Sequence, residues 1–281
     1  MSGLEITSTA NPRVKAVVGL RDRRTRDALG STLVDGAREV GRAIAAGVRV
    51  TELFSCPALA GSDDAQSALA AAAAAGIVPT TVSPAVLERL AFGDRSDGLV
   101  AVIRTPPTDL GRLALPARPL IVVAEEVEKP GNLGAILRSA DGAGADAVIA
   151  ADPRTDLFNP NAIRASLGTI FNVPLASAST EATIAWLTAA GIAIVVARVD
   201  GAVAYDSIDF RGPVAIVLGS EALGLGAAWS GPASAAVRLP MLGVADSLNV
   251  SAAAAVLLYE ARRQRERAPV RPRRRPPRRP G

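Results

Sequence analysis

Residues 217–229 read VLGSEALGLGAAW, a short apolar run that breaks into a glycine-rich turn. A strand followed by a glycine-rich loop is one way in which proteins bind nucleotides. The best fit to the dinucleotide pattern G-x-G-x-x-G begins at Gly224 and has Trp229 in its third glycine position. The acid that follows, Asp246, precedes a helix-like segment instead of ending a second strand. This stretch alone does not predict a nicotinamide enzyme, so its neighbours decide the fold.

Continuous apolar runs predict an α/β fold for the second half of the chain. Runs of this kind are typical of parallel strands that are covered on both faces. They are LIVVAEEV (120–127), ADAVIAAD (145–152), GIAIVVARVD (191–200) and PVAIVLGS (213–220). Residues 31–105 alternate strand-like and helix-like segments and predict a smaller α/β unit, with Pro84 at the start of a helix. The proline-rich stretch 105–119 between them is the candidate linker.

The composition excludes several classes of site. The chain contains no histidine and one cysteine, Cys56. Ser-His-Asp and Cys-His catalytic groups and histidine-ligated metals are therefore not available, and we expect no metal. No apolar stretch is long enough to span a bilayer and the N-terminus does not resemble a signal peptide, so we expect a cytoplasmic protein without a membrane partner.

The net charge of +4 is unevenly distributed along the chain. The last 14 residues contain six arginines and no acid, so the remaining residues carry a net charge of −2. A segment of prolines and arginines has no apolar face and cannot form a packed core. It either improves solubility or binds RNA through a salt-sensitive contact.

Three further segments combine polar residues with helix-like patterns. In EKPGNLGAILRSADGAGA (128–145), Asn132 and Arg138 follow a buried strand, where anion or ribose recognition is common. In NPNAIRASLGTIFNVP (159–174), the spacing predicts that Arg164 and Phe171 share one helical face. In RLPMLGVADSLNVSAAAAVLLYE (238–260), Ser247 is the expected N-cap of an alanine-rich helix. Each segment alone also fits a structural role: a surface arginine, a core phenylalanine, or a capped surface helix.

Taken in order, these segments resemble the SpoU/TrmH branch of the SPOUT methyltransferases, which methylate RNA ribose 2′-hydroxyls. The stretches NLGAILRSA, RASLGTIFNVP, LGSEALGLG and LPMLGVADSLNVSAAAAVLLYE carry the resemblance. The stretches NPRVK (11–15) and VDGAREVGRAIAAG (34–47) resemble the L30e-like RNA-binding domain that often precedes it, as in thiostrepton-resistance-type rRNA methyltransferases.

The resemblance implies an α/β SPOUT domain with a parallel sheet and a deep trefoil knot, behind a small L30e-like α/β domain. The implied boundaries are 1–105 for the L30e-like RNA-binding domain, 106–118 for the linker, 119–266 for the methyltransferase domain with its knot at about 213–262, and 267–281 for a disordered tail. It also implies a homodimer that binds S-adenosylmethionine and acts on structured RNA, with 23S-type rRNA favoured.

The family's site residues carry over to matching positions. The implied catalytic residues are Arg138, Asn132, Glu221, Ser247 and Asn249. The implied cofactor-binding residues are Ala197, Leu218, Gly219, Leu239, Met241 and Leu248. The implied RNA-binding residues are Arg13, Lys15, Arg38 and Arg164.

Two questions stay open at the level of sequence. Arg138 either orients the attacking hydroxyl or removes its proton, and the very high pKa of a guanidinium favours the first role. A tRNA ribose methyltransferase and a non-catalytic RNA-binding or ribosome-assembly protein on the same scaffold are the alternative functions.

Overall fold

The computed structural model describes residues 5–92, 97–220, 224–231 and 234–267. Glu221 and the tail from residue 268 onward lie outside these residues. Helices and strands alternate in the first part of the chain. In order they are α1 (Pro12–Gly19), α2 (Arg23–Leu29), β1 (Ser31–Asp35), α3 (Ala37–Ala45), β2 (Val50–Ser55), α4 (Asp63–Ala74), β3 (Thr80–Thr81), α5 (Pro84–Leu90) and β4 (Leu99–Arg104).

The alternation continues in the second part. The elements are β5 (Leu120–Glu125), α6 (Pro130–Ala143), β6 (Ala147–Ala151), α7 (Pro160–Ala165), β7 (Leu175–Ala178), α8 (Thr180–Ala189), β8 (Ala193–Ala197), β9 (Val203–Ala204), β10 (Val214–Leu218), β11 (Ser234–Arg238) and α9 (Val250–Arg267). Short 3₁₀ turns cover Leu110–Arg112, Thr169–Phe171, Tyr205–Ser207 and Ala227–Ser230.

The strands form two sheets of different character. The first has the order β1-β4-β2-β3 and is mostly antiparallel. The second has the order β7-β6-β5-β10-β8-β11-β9, and all its strand pairs are parallel. The expectation of an α/β fold with a parallel sheet in the second half is therefore confirmed. The knot itself stays a prediction.

Several helices begin where the sequence supplies a polar cap followed by proline. Asn11 accepts a hydrogen bond from the backbone of Arg13 in front of α1, and Ser83 caps α5 directly before Pro84. Proline is well suited to the first helical turn because its missing N–H would have no partner there. The expected helix start at Pro84 is confirmed.

The two sheets share one continuous apolar core, and α7 packs against β1. Hydrogen bonds and ion pairs also connect the two halves. They are Arg26–Asp156 (2.7 Å), Thr32 Oγ1 to the Phe158 carbonyl (2.7 Å), Arg42 to the Leu167 carbonyl (2.7 Å) and Arg164–Asp35 (3.1 Å). The orientation of one sheet relative to the other is thus fixed by specific contacts.

The stretch 105–119 lies against the second sheet. Leu110, Leu113 and Leu115 pack on its apolar cluster, and the carbonyl of Thr108 accepts a hydrogen bond of 2.7 Å from the backbone N–H of Ser177. Within the described residues, no helix has both the length and the apolar character that a membrane span requires.

Candidate active site

A cavity of about 570 Å³ opens where three neighbouring parallel strands end. The strands are β10, β8 and β11, and the loops that follow them surround the cavity. Its wall consists of Ala197, Arg198, Val199, Asp200, Leu218, Gly219, Ser220, Gly224, Leu225, Val237, Leu239, Met241, Asp246, Ser247, Leu248, Asn249, Val250 and Ala253. The carboxyl ends of parallel strands are the usual ligand site in open α/β sheets.

All six residues that the sequence assigned to cofactor binding lie in this wall: Ala197, Leu218, Gly219, Leu239, Met241 and Leu248. They come from three separate segments of the chain, which the parallel sheet brings to one edge. The wall is mostly aliphatic side chain and main chain, with a few polar groups, which is typical of a small-molecule site. Their role as cofactor ligands stays a prediction.

The glycine-rich turn forms one side of the cavity and is unusually tight. Ser220 and Gly224 exchange backbone hydrogen bonds of 3.1 and 3.0 Å. A Cβ atom at Gly219 would collide with the carbonyl group of Gly224, and Gly224 itself has a φ of +68°. Two glycines are therefore needed here for close backbone approach and for left-handed conformation.

A buried carboxylate that the sequence reasoning did not single out holds this turn. Glu125, the last residue of β5, accepts hydrogen bonds from the backbone N–H of Gly226 (2.8 Å) and from the hydroxyl of Thr180 (3.0 Å). Its side chain is buried. An acid that ends an otherwise apolar run was the available signal, because buried acids need specific partners.

An amide pair connects the stretch 132–140 with the stretch 239–260 beside the cavity. The side-chain nitrogen of Asn249 donates to the side-chain oxygen of Asn132 over 3.3 Å. Asn249 also accepts 2.9 Å and 2.6 Å hydrogen bonds from the backbone and the hydroxyl of Ser251. Asn249 thereby fixes the start of α9 relative to α6.

The cap of α9 differs from the expectation. The backbone bonds from Ser251 and Ala253 to Asn249 identify Asn249 as the N-cap, so the assignment of Ser247 to that role is wrong. The reason is that the helix begins at Val250, and an Asn side chain satisfies its first free N–H groups as well as Ser does. Ser247 is instead an exposed residue of the cavity wall.

Arg138 lies on α6, six residues beyond Asn132, and is not part of the cavity wall. Six residues of helix correspond to about 9 Å along the axis. The side chain is exposed and makes no hydrogen bond or ion pair within the described part of the chain. The guanidinium is thus accessible to a ligand. Glu221, the remaining candidate catalytic residue, lies outside the described residues.

Arg198 and Asp200 form a charged pair in the cavity wall that the sequence did not indicate. Arg198 binds the carboxylate of Asp200 through two hydrogen bonds of 2.8 and 3.1 Å. The Arg198 guanidinium lowers the pKa of Asp200, and the carboxylate in turn raises the pKa of Arg198. Both side chains are therefore ionised at neutral pH, and they offer one acceptor and one donor to a polar ligand.

Three of the four candidate RNA-binding residues belong to the first half. Arg13 pairs with Glu52 at 2.7 Å and stacks on Phe54, and Arg38 pairs with Asp64 at 2.9 Å. Lys15 lines a separate shallow cleft of about 760 Å³. Their contact with RNA stays a prediction.

Arg164 does not share a helical face with Phe171, so that expectation is wrong. Helix α7 ends at Ala165, and positive φ angles at Leu167 (54°) and Gly168 (80°) turn the chain before Phe171. Arg164 points instead to the first sheet, where it pairs with Asp35 and donates to the carbonyl of Phe92 over 2.8 Å.

No group of three or more Cys, Asp or Glu side chains in the described ranges is arranged to hold a metal ion. The site offers a cavity lined by backbone and aliphatic groups, with amide, hydroxyl and guanidinium donors nearby. These groups can position a ligand and an attacking hydroxyl.

Comparison with known proteins places the chain in a family. A model described as the SpoU rRNA Methylase family matches residues 119–259, and a model described as the MRM3-like substrate binding domain matches residues 11–101. The matched ranges coincide with the two sheets.

Full-length relatives share both parts. A 23S rRNA uridine 2′-O-methyltransferase of Streptomyces viridochromogenes is 33% identical over 260 residues, which is 89% of this chain and 88% of the relative. The crystal structure of an RNA 2′-O ribose methyltransferase is 41% identical, with a TM-score of 0.82 over 94% of this chain and 100% of the other. An AdoMet-bound rRNA methyltransferase from Sinorhizobium meliloti is 32% identical, with a TM-score of 0.82 over 92% of this chain and 97% of the other. The chain belongs to the SpoU rRNA methylase family.

Proposed function

We propose that this protein transfers a methyl group from S-adenosylmethionine to the 2′-hydroxyl of a ribose in 23S-type ribosomal RNA. The observation that carries the proposal is the cavity at the strand ends: residues of the stretches 218–226 and 239–260 line it, and the Asn132–Asn249 pair joins the stretch 132–140 to its wall. Relatives that match along most of their length are named as 23S rRNA 2′-O-methyltransferases.

The residues present fit the cofactor. A cavity of about 570 Å³ lies within the range that small-molecule sites occupy, about 300–1,000 Å³. Leu218, Leu239 and Leu248 provide apolar walls for a purine, and main-chain groups around Gly219 can bind its polar edge. Asp200 and Arg198 at the mouth match the hydroxyl and charged groups of the cofactor's ribose and amino-acid parts. A solved family member was crystallised with AdoMet.

The chemistry that the cofactor supplies when bound is a methyl group already activated on a sulfonium sulfur. The task left to the protein is to hold the ribose hydroxyl in line with that methyl, which can provide much of the acceleration. A guanidinium carries only hydrogen-bond donors, so Arg138 would orient the hydroxyl oxygen. Asn132 and Asn249 hold α6 and α9 in position. The hydroxyl proton passes to water or to a substrate phosphate.

A homodimer completes this site in our proposal. Apolar side chains after Met241 and on α9 are exposed in the single chain: Leu242 is 99% exposed, and Val256 and Tyr259 on α9 are 38% and 55% exposed. Tyr259 lies over Gly142 on the exposed side of α6, the helix that carries Arg138. A second copy that covers this surface would bury the apolar groups and enclose the acceptor ribose next to Arg138.

Sedimentation analysis tests the dimer. We expect Val256→Glu to shift the protein from dimer to monomer, because it places a charge in a dehydrated interface. Val78→Glu is the matched control, since Val78 is 86% exposed on the first half of the molecule. A wild-type monomer at micromolar concentration would contradict this part of the proposal.

The first half of the chain would hold the RNA, through Arg13, Lys15 and Arg38, while the second half performs the transfer. The polar contacts across the junction support this division, because they hold the two halves in a fixed relative position. An rRNA substrate and a single cysteine, which is buried, both fit a cytoplasmic location.

The direct test is transfer of a radioactive methyl group from S-adenosylmethionine to a protein-free 23S rRNA transcript, to ribosomal particles and to tRNA. Mapping of 2′-O-methylation then locates the nucleotide. We expect label in 23S rRNA and a decrease of at least about 100-fold in kcat for Arg138→Ala, because oriented groups supply several kcal/mol.

Three outcomes would each refute a part of the proposal. The absence of heat on titration with S-adenosylmethionine, with and without RNA, would leave only a non-catalytic RNA-binding protein. Label confined to tRNA would show that the substrate is wrong although the reaction is right. Retention of nearly full turnover by Arg138→Lys would refute the orienting role, because that role needs the forked geometry of the guanidinium.

A further inference from the structure

A second groove, of about 530 Å³, lies at the junction of the two halves and plays no part in the site described above. One wall comes from the end of α3, the start of β2 and the end of β4 in the first half. The other wall comes from the 3₁₀ turn before β7 in the second half, and the stretch 105–119 closes one end.

The charge of this groove is entirely positive. Arg49, Arg104 and Arg112 line it, and none of its lining residues is an aspartate or a glutamate. All three side chains are exposed. Arg104 donates one hydrogen bond of 2.7 Å to the carbonyl of Leu29, and Arg49 and Arg112 form no side-chain hydrogen bond or ion pair within the described ranges. Three guanidinium groups therefore line one concave surface, and no acidic side chain among the lining residues neutralises them.

An aromatic ring and an amide line the same groove. Phe171 is half-buried, and the neighbouring Asn172 is exposed. The turn that carries them is held by the backbone bond from Phe171 to Gly168 (3.2 Å). A fixed aromatic ring beside cationic side chains is typical of surfaces that bind unpaired nucleotides, because bases stack on the ring while phosphates bind the cations.

The groove lies at the opposite edge of the parallel sheet from the cofactor cavity. It contacts the amino end of β7, whereas the cavity opens at the carboxyl ends of β8 and β10. Three strand spacings of about 4.8 Å and five residues of about 3.3 Å separate the two edges, which corresponds to roughly 20–25 Å. A group bound in the groove cannot touch the reacting atoms, but a folded RNA can span this distance.

We propose that this groove is a second RNA-binding site, which holds the phosphate backbone of a single-stranded segment of the substrate away from the methylated nucleotide. The inference rests on the proposed function, because it assumes an RNA substrate. The site contributes affinity and orientation and takes no part in the chemical step. Because both halves of the chain line the groove, RNA bound there also bridges the junction.

The chain's own proline-arginine tail is not a suitable occupant, because its six arginines would be repelled by the three in the groove. An acidic protein would satisfy the charge but would have no use for an aromatic ring beside the guanidinium groups. RNA satisfies both features.

The experiment compares RNA affinity across a series of salt concentrations for three proteins. They are the wild type, the groove variant R49Q/R104Q/R112Q, and the control variant R23Q/R211Q/R263Q. The control removes the same charge from exposed arginines that pair with local acids. The probe is a protein-free 23S rRNA transcript, and methyl transfer is measured on the same preparations.

Loss of three phosphate contacts predicts that the negative slope of log K against log [salt] becomes smaller in magnitude by about 2, and that the affinity near 0.1 M salt is about 100-fold lower. We expect KM for RNA to rise accordingly, while kcat at saturating RNA and the affinity for S-adenosylmethionine stay unchanged. The control should retain the wild-type slope within about 0.5. If the triple variant does not fold, R49Q/R112Q replaces it in the experiment, because neither guanidinium has a structural partner in the described ranges. For this variant, the slope of log K against log [salt] should be smaller in magnitude by about 1.4.

An affinity and a slope equal to those of the control would overturn the proposal. So would unchanged binding of the naked transcript combined with weaker binding of ribosomal particles, because that result would assign the groove to a protein partner. A wild type that binds RNA but methylates none would refute the proposed function and leave the binding test of the groove intact.

Discussion

Two arginines of the short helix α2 form ion pairs, one exposed and one buried, and they allow a direct measurement of what burial adds to an ion pair. Arg23 and Asp27 lie 3.6 Å apart, with side chains that are 57% and 65% exposed. Arg26 and Asp156 lie 2.7 Å apart across the junction, with side chains that are 4% and 14% exposed. Arg26 also donates 2.8 Å hydrogen bonds to two backbone carbonyls.

We expect Arg26→Met to lower the free energy of unfolding by about 4 kcal/mol. Removal of one partner of a buried pair typically costs about 3–5 kcal/mol, because the other charge is left dehydrated and unpaired. Arg23→Met should cost at most about 0.5 kcal/mol, as exposed pairs do. Adding Asp156→Asn to Arg26→Met should recover about half of the loss, because Asn keeps the acceptor for the backbone N–H of Phe158 and removes the charge.

Urea unfolding followed by circular dichroism measures these differences in the free energy of unfolding. In a separate thermal unfolding experiment, the melting temperature of Arg26→Met should fall by about 10 °C. If the free energy of unfolding of the variant depends less steeply on urea concentration than that of the wild type, the two halves now unfold separately. The reasoning is refuted if Arg26→Met is no less stable than Arg23→Met, or if the double variant is less stable than Arg26→Met alone.

Three further predictions concern the cavity and the junction. Gly219→Ala should weaken S-adenosylmethionine at least about 10-fold in calorimetry, because its Cβ would displace the carbonyl of Gly224; unchanged affinity would contradict the tight-turn geometry. Glu125→Gln removes one acceptor from the bonds that hold Gly226, and it should cost about 2 kcal/mol of stability and weaken the cofactor without affecting RNA affinity; a loss of RNA affinity alone would contradict this role. Burial raises the pKa of Asp35 above 3.8, so the native state keeps this proton to higher pH than the unfolded chain does. The free energy of unfolding therefore falls as pH rises from 3.8 through the native pKa. In thermal unfolding from pH 3.8 upward, the wild type should lose stability relative to Asp35→Asn, and the opposite trend would refute the shift.

The parallel sheet was predictable because its strands are buried on both faces. A run such as LIVVAE has no polar face, so its pattern identifies a central strand without ambiguity. The sequence pattern missed the short helix α1, the charged helix α2 and the short edge strand β7. Edge strands and charged helices bury little apolar area, so tertiary contacts decide their structure.

The candidate site was predictable where the resemblance supplied positions, and much less so where geometry decided. The six cofactor residues lie together because the carboxyl ends of parallel strands meet at one edge. The partners of Arg164 were not predictable, because positive φ angles at Leu167 and Gly168 redirect the chain and no local pattern specifies them. Glu125 was missed because its partners, Thr180 and Gly226, are 55 and 101 residues away in sequence.

A chain without histidine has no side chain that ordinarily titrates near neutral pH, and this fits the proposed reaction. An activated methyl donor does not require a strong base, so the protein can devote its polar groups to position. Its buried acids are used accordingly: Glu125 holds the glycine turn, and Asp35 accepts hydrogen bonds at the junction. Because Asp35 pairs with Arg164 across the two halves, titration of this acid acts on the junction between them. Acid and base effects on this protein are therefore expected in its stability and RNA affinity before they are expected in methyl transfer.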